Sequence, residues 1–127
     1  MEINEITDAI IGAAIEVHRA LGPGLLESTY QRCLGHELTL RKISFAKEID
    51  LPVLYKGLAL DCGYRLDLIV LNAVVVEVKS VQGLDRIHDA QMLTYLKLGG
   101  FRAGLLINFN VPLLKYGIRR EVLGLPE

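Results

Sequence analysis

Tryptophan is absent from this 127-residue chain, cysteine occurs only twice, and aromatic residues make up just 6% of it. Cys33 and Cys62 form no C-x-x-C pair, so no disulfide framework is expected and both read as reduced, structural residues. His18, His36 and His88 are too scattered to show zinc-ligand spacing. There is no P-loop, no G-x-G-x-x-G and no G-x-S-x-G, which removes the phosphate-cradle and nucleophile-elbow signals. Basic excess is lacking too: 14 Lys and Arg face 15 Asp and Glu, for a net charge of −1. Strong nucleic-acid binders usually carry a positive surplus, because phosphate contacts supply most of their affinity. Lys97, Arg102, Lys115, Arg119 and Arg120 leave a local basic face open, beside the plainer reading of an ordinary solvated surface. No apolar run reaches the roughly 18 residues a membrane span needs. The opening Met1-Glu2-Ile3-Asn4-Glu5 is acidic and has no signal-peptide features, so the cytoplasm is the expected location. What the chain does have is apolar content, 51%, enough for one domain over 1–127 with a buried interior.

Periodicity divides the chain into helices and strands. Ile3, Ile6, Ile10, Ala14, Val17 and Leu21 recur at helical steps, and Leu21-Gly22-Pro23-Gly24 ends that stripe. A second helix is predicted over 25–41, with Tyr30, Leu34 and Leu38 inward and Glu27 on the same side, one turn earlier. Residues 45–55 read as extended, with an edge or bulge at Pro52; Lys56-Gly57 turns, and 58–61 is short. Two buried strands follow, over 66–71 and 73–78, joined around Asn72. A loop over 80–85 precedes a third helix over 86–98, closed by Gly99-Gly100, and a further buried strand over 103–109. The expected architecture is an α/β or α+β mixed sheet: two N-terminal helices, an antiparallel meander, a crossover helix and a strand pairing in parallel.

The buried strands carry the chemistry. Asp67 and Glu77 lie ten residues apart, and Glu77-Val78-Lys79 closes the apolar run Ala73-Val74-Val75-Val76. An ionised carboxylate in such a strand loses several kcal/mol of hydration and needs a metal or a partner charge. Register decides whether the acids can meet. A two-residue turn at Asn72-Ala73 sets Asp67 opposite Val78, whereas a three-residue connection from Leu71 to Ala73 sets it opposite Glu77. The functional reading therefore requires an odd-length turn or an equivalent bulge. Hard carboxylate ligands of this kind suit Mg²⁺ or Mn²⁺, and a nearby lysine can orient a water or offset transition-state charge. The plainer alternative is a buried Asp–Lys or Glu–Lys pair that only sets register.

Asp67 followed by Glu77-Val78-Lys79 resembles the core of the PD-(D/E)XK nuclease superfamily. Gly24-Leu25-Leu26-Glu27-Ser28-Thr29-Tyr30 is similar to the motif that names the GxxExxY protein family, which is assigned to that superfamily. His18-Arg19-Ala20-Leu21-Gly22-Pro23, Tyr64-Arg65-Leu66-Asp67 and Gly104-Leu105-Leu106-Ile107-Asn108-Phe109 extend the resemblance over nearly the whole chain. It implies a restriction-endonuclease-like core and hydrolysis of phosphodiesters in nucleic acid, with DNA the leading substrate and no membrane partner. By the same resemblance Asp67 and Glu77 bind Mg²⁺ or Mn²⁺, Glu27 completes the metal shell directly or through water, and Lys79 positions the attacking water. Gln91-Met92-Leu93-Thr94-Tyr95 matches the Q-x-x-x-Y helix of related branches. Gln91 then braces the metal ligands or a phosphate, and Tyr95 donates to a phosphate oxygen. Each also has a structural reading: Gln91 and Tyr95 as a polar pair in a helix–sheet seam, Glu27 as a first-turn acid favoured by the helix dipole. Tyr30 reads as core with its hydroxyl bonded inside. His18 reads as a cap or core residue, His88 as either a cleft or a solvent-edge residue, and His36 carries no signal. Analogy suggests a homodimer or partner protein to hold two strands. The rival to an enzyme is a catalytically silent binding or accessory module.

Overall fold

The computed structural model describes residues 1–124, so the last three residues of the single domain expected over 1–127 lie outside it. Helix α1 (Ile3–Leu21) buries Ile6, Ile10, Ala14 and Val17 of the stripe that its spacing anticipates, while Ile3 is partly buried and Leu21, at the glycine turn, is exposed. It stops because Gly22 turns left-handed (φ 71°) while its N–H still donates to His18 O at 2.7 Å. Helix α2 (Glu27–Leu40) buries Tyr30, Leu34 and Leu38 completely. Among the described residues no helix is long and apolar enough to cross a membrane.

Five strands form the main sheet: β1 (Phe45–Asp50), β4 (Arg65–Val70), β5 (Val74–Lys79), β6 (Ala103–Asn108) and β7 (Ile118–Val122), in the order β1-β4-β5-β6-β7. Neighbours pair antiparallel except β5 with β6, which are parallel and are linked by the crossover helix α3 (Arg86–Gly99). Helices α1 and α2 cover one face through Leu68, Val70, Val74, Val76 and Leu105; α3 covers the other through Leu66, Ile69, Val75, Met92 and Leu106. Helix α3 lies so close to β6 that a Cβ on Gly104 would meet Met92 Sδ at 2.5 Å. This is a mixed α+β sheet between helical layers, as expected from the element order.

One element departs from the sequence reading. Residues 45–55 are not one extended segment, and the meander is not continuous. The chain breaks after Asp50, and β2 (Val53–Tyr55) pairs with β3 (Leu58–Leu60) in a separate two-stranded sheet. Pro52 has no N–H for the ladder, and Leu54, Tyr55, Leu58 and Leu60 are all exposed, so nothing draws this hairpin onto the main sheet.

A second irregularity positions the site. Alternation should send Phe45 and Ile49 to one face, yet Phe45 packs with the α1–α2 cluster and Ile49 with the α3 cluster. Leu68 and Leu66 split in the same way on β4. Both flips span the pair Glu48 and Asp67, which the β1–β4 register sets opposite each other, and Glu48 is left-handed at φ 51°. A non-glycine residue pays about 1–2 kcal/mol for that conformation. Glu48→Gly is therefore expected to raise stability by about 1 kcal/mol in chemical denaturation, and Glu48→Ala to give no gain. Equal stability of the two variants would remove the strain from this account.

Candidate active site

The acid pair is assembled by the turn between β4 and β5. Leu71 and Asn72 are both left-handed (φ 51° and 55°), and Ala73 N–H donates to Val70 O at 3.0 Å, as in a type I′ turn. Ala73 then adds one residue before the ladder begins at Val70↔Val74. The connection is the odd-length one, and the register Val70↔Val74, Ile69↔Val75, Leu68↔Val76 carries on to bring Asp67 opposite Glu77. Here the backbone ladder gives way to side chains. Asp67 N–H donates to Glu77 Oε2 at 2.8 Å, and Val78 N–H donates to Asp67 Oδ2 at 2.8 Å. Each carboxylate thus holds one oxygen on the opposite strand's backbone. Asp67 Oδ1 and Glu77 Oε1 have no protein donor among the described residues.

This arrangement is electrostatically uncomfortable by itself. Glu77 is only 6% exposed on the central strand of the sheet. Burial first, and then the charges of Asp67 and Glu27, push its carboxyl up to about 8, against the opposing pull of the Asp67 N–H and Lys79. Burial likewise raises Asp67, with Glu27 and Glu48 adding to it and the Val78 N–H and Lys79 working against it. Lys79 is half-buried on the same side of β5 as Glu77, yet among the described residues it forms no ion pair with either acid. The register-setting Glu–Lys or Asp–Lys bridge is not what the strand builds.

Glu27 arrives from the other layer. It is the exposed first residue of α2, outside the packed stripe rather than within it, and its Oε1 accepts the Ser80 N–H at 3.3 Å. Ser80 Oγ in turn donates to Leu25 O at 2.6 Å, tying the α1–α2 loop to the end of β5. Tyr30 completes the latch: its O–H donates to Gly22 O at 2.5 Å and accepts the Leu25 N–H at 3.1 Å. Its ring, fully buried, stacks on Phe109 with centroids 4.6 Å apart. The tyrosine is a core residue whose hydroxyl sets the loop that delivers Glu27. Tyr30→Phe keeps the stack and strands the loop's donor, so it is expected to cost about 1–2 kcal/mol in urea unfolding. An unchanged midpoint would show that the latch bears no load.

From α3 the structure brings up Tyr95. Burial, followed by the charges of Glu77, Tyr64 and Asp67, raises its phenol. The Tyr64 ring lies 6.3 Å away, centroid to centroid. Gln91, one turn earlier, is exposed and makes no hydrogen bond among the described residues. His88 is occupied at the start of α3, where Nδ1 accepts the Asp85 N–H at 2.9 Å. His18 is a satisfied core residue, with Nε2 hydrogen-bonded to Val111 O at 2.8 Å.

Two positioning residues escaped the sequence reading. Ser80 couples both layers at the site. Asn108, buried on β6, accepts the Val81 N–H at 3.1 Å and donates to Val81 O at 3.0 Å, so it holds the loop that follows Lys79. Only an asparagine inside an apolar strand, which must be paired, could have signalled it. The single basic face also dissolves. Arg119 turns to Asp89 of α3 at 2.6 Å, and its neighbour Arg120 turns to Asn4 of α1, on the opposite face of the sheet.

Among the described residues, no three His, Cys, Asp or Glu side chains gather tightly enough to hold a metal as they stand. The donor chemistry that is present still fits one class of ion. Mg²⁺ typically takes one or two carboxylates and keeps its other positions for water and phosphate, rather than entering an all-protein cage. Two adjacent carboxylates, each with an oxygen left over and both raised by burial, are the donors such an ion would relieve. A family profile described as the PD-(D/E)XK nuclease superfamily matches residues 4–121. Neither the curated proteins nor the solved structures returned a match to the chain.

Proposed function

The chain belongs to the PD-(D/E)XK nuclease superfamily, a family of nucleases that generally use divalent metal ions, and on that premise we propose that it hydrolyses phosphodiester bonds in nucleic acid. DNA is the proposed substrate, the cytoplasm the proposed location, and the GxxExxY branch the proposed subfamily. The observation that carries this reading is the cross-bonded pair of half-buried Asp67 and buried Glu77, which has no protein counter-ion in contact among the described residues. Asp67 and Glu77 would hold Mg²⁺ or Mn²⁺, with Glu27 contributing through water from its place on Ser80. Such an ion, when bound, polarises a phosphoryl oxygen and makes its water more acidic. Lys79 would orient the attacking water and offset charge on the phosphoryl group. Tyr95, held as a donor, would bind a phosphate oxygen, and exposed Gln91 would reach the same group from the preceding turn.

Cleavage assays on single-stranded, duplex and branched DNA, and on RNA, with Mg²⁺ or Mn²⁺ test the proposal. Metal-dependent cleavage that survives Asp67→Asn would overturn it. The absence of a three-acid cage among the described residues and the net charge of −1 favour a second reading, a silent binding or accessory module. That reading expects nucleic-acid binding without cleavage on every substrate.

A further inference from the structure

We propose that the groove between α2 and β1 carries the sugar–phosphate backbone of the substrate away from the acid pair; this deepens, and rests on, the nuclease reading. The groove encloses about 470 Å³ and is lined by Ser28, Gln31, Arg32, His36, Lys47 and Glu48. It opens beside the site. Gln31 Nε2 donates to Asp67 O at 3.4 Å, Leu68 also lines the groove, and Ser28 follows Glu27 directly.

Its charge differs from that of the site. Around the acids, Glu27, Glu48, Asp67 and Glu77 outnumber Lys79, so an incoming phosphate meets repulsion everywhere except at a bound cation. On the flank, Arg32 and Lys47 are exposed and form no ion pair among the described residues, whereas Arg19, Arg41, Arg65 and Arg119 are each paired to an acid. Arg32 and His36 stand one helical turn apart on α2, and Lys47 faces them from β1. Exposed cations and short polar donors such as these read a backbone rather than base edges, so the groove fits a phosphodiester strand of any sequence. A chain of net charge −1 can engage DNA in this way where two exposed cations, Arg32 and Lys47, line one groove beside the site.

The test is binding of fluorescein-labelled single-stranded and duplex DNA in Ca²⁺ across a salt series, with probe integrity checked on a gel. Arg32→Ala and Lys47→Ala are each expected to weaken binding. Each should also flatten the plot of log affinity against log salt by about 0.7 on single strands or about 0.9 on duplex. The double variant should lose both increments, while Lys115→Ala, on a distant exposed lysine, should change neither quantity. Both groove residues are exposed, so melting temperatures should stay near wild type. Unchanged affinity and slope in the double variant would overturn the inference, and would leave the nuclease reading standing if cleavage persists. Altered slopes without cleavage on any substrate would keep the groove and sink the hydrolase. No binding by the wild-type chain would remove the groove.

Discussion

Glu77→Gln is expected to lower metal-dependent cleavage by about a thousandfold or more and, in metal-free buffer at pH 8, to make the protein more stable. The two effects share one cause. The carboxylate is buried on the central strand with Asp67 against it, so its ionised form is tolerated in the folded state only with difficulty. Glutamine retains an oxygen for the Asp67 N–H and removes the charge. Electrostatic help from a metal is worth several kcal/mol in the transition state, and losing a ligand forfeits most of it. The stability gain should reach a few kcal/mol at pH 8 and vanish near pH 4, where the wild-type glutamic acid is protonated as well. Single-turnover cleavage, and thermal melts in EDTA at both pH values, measure the pair. A variant destabilised equally at both would show that Glu77 is a packing residue.

Wild-type protein without metal should become less stable as pH rises from about 4.5 to about 8. Glu77 titrates near 8 when folded and near 4.5 in its ordinary state. Between those values the folded chain holds a proton that the unfolded chain has released, so the contribution is complete below the lower value and lost through the upper one. Asp67 shifts in the same direction and adds to the slope. The total is on the order of several kcal/mol. Mg²⁺ should reverse the trend, because it competes with the proton for the same oxygens and binds only the folded pair, so its stabilisation grows with pH. Melting temperatures from pH 5 to 9, with and without millimolar Mg²⁺, give the result directly. A flat metal-free profile, or a metal shift no larger at pH 8 than at pH 5, would mean the carboxylates are not held as described.

Much of this site is legible in the chain itself. The inward stripe of Tyr30, Leu34 and Leu38 follows from spacing alone, and all three are fully buried. The odd-length turn is a deduction from strand periodicity, and the left-handed pair Leu71 and Asn72 with the extra residue Ala73 supplies it. Glu27 is harder. Helical spacing places it on the inward side, but only the fold shows it exposed and bonded to Ser80, 53 residues away. Glu48 gave no signal at all. Nothing in a glutamate announces a left-handed backbone, because that conformation is imposed by the partner strand and by the two cores pulling Phe45 and Ile49 to opposite faces.

Sequence by itself determined the helices, the buried strands and the identity of the acids, because these depend on local periodicity and on the cost of placing a charge in an apolar run. Tertiary structure alone decided which oxygens remain free, that Lys79 forms no ion pair with either carboxylate, and that Arg32 and Lys47 come together along one groove. Those outcomes turn on distances of a few ångströms between residues far apart in the chain. Coulomb energy and hydrogen bonding vary steeply over such distances, and no pattern of neighbours along the chain encodes them.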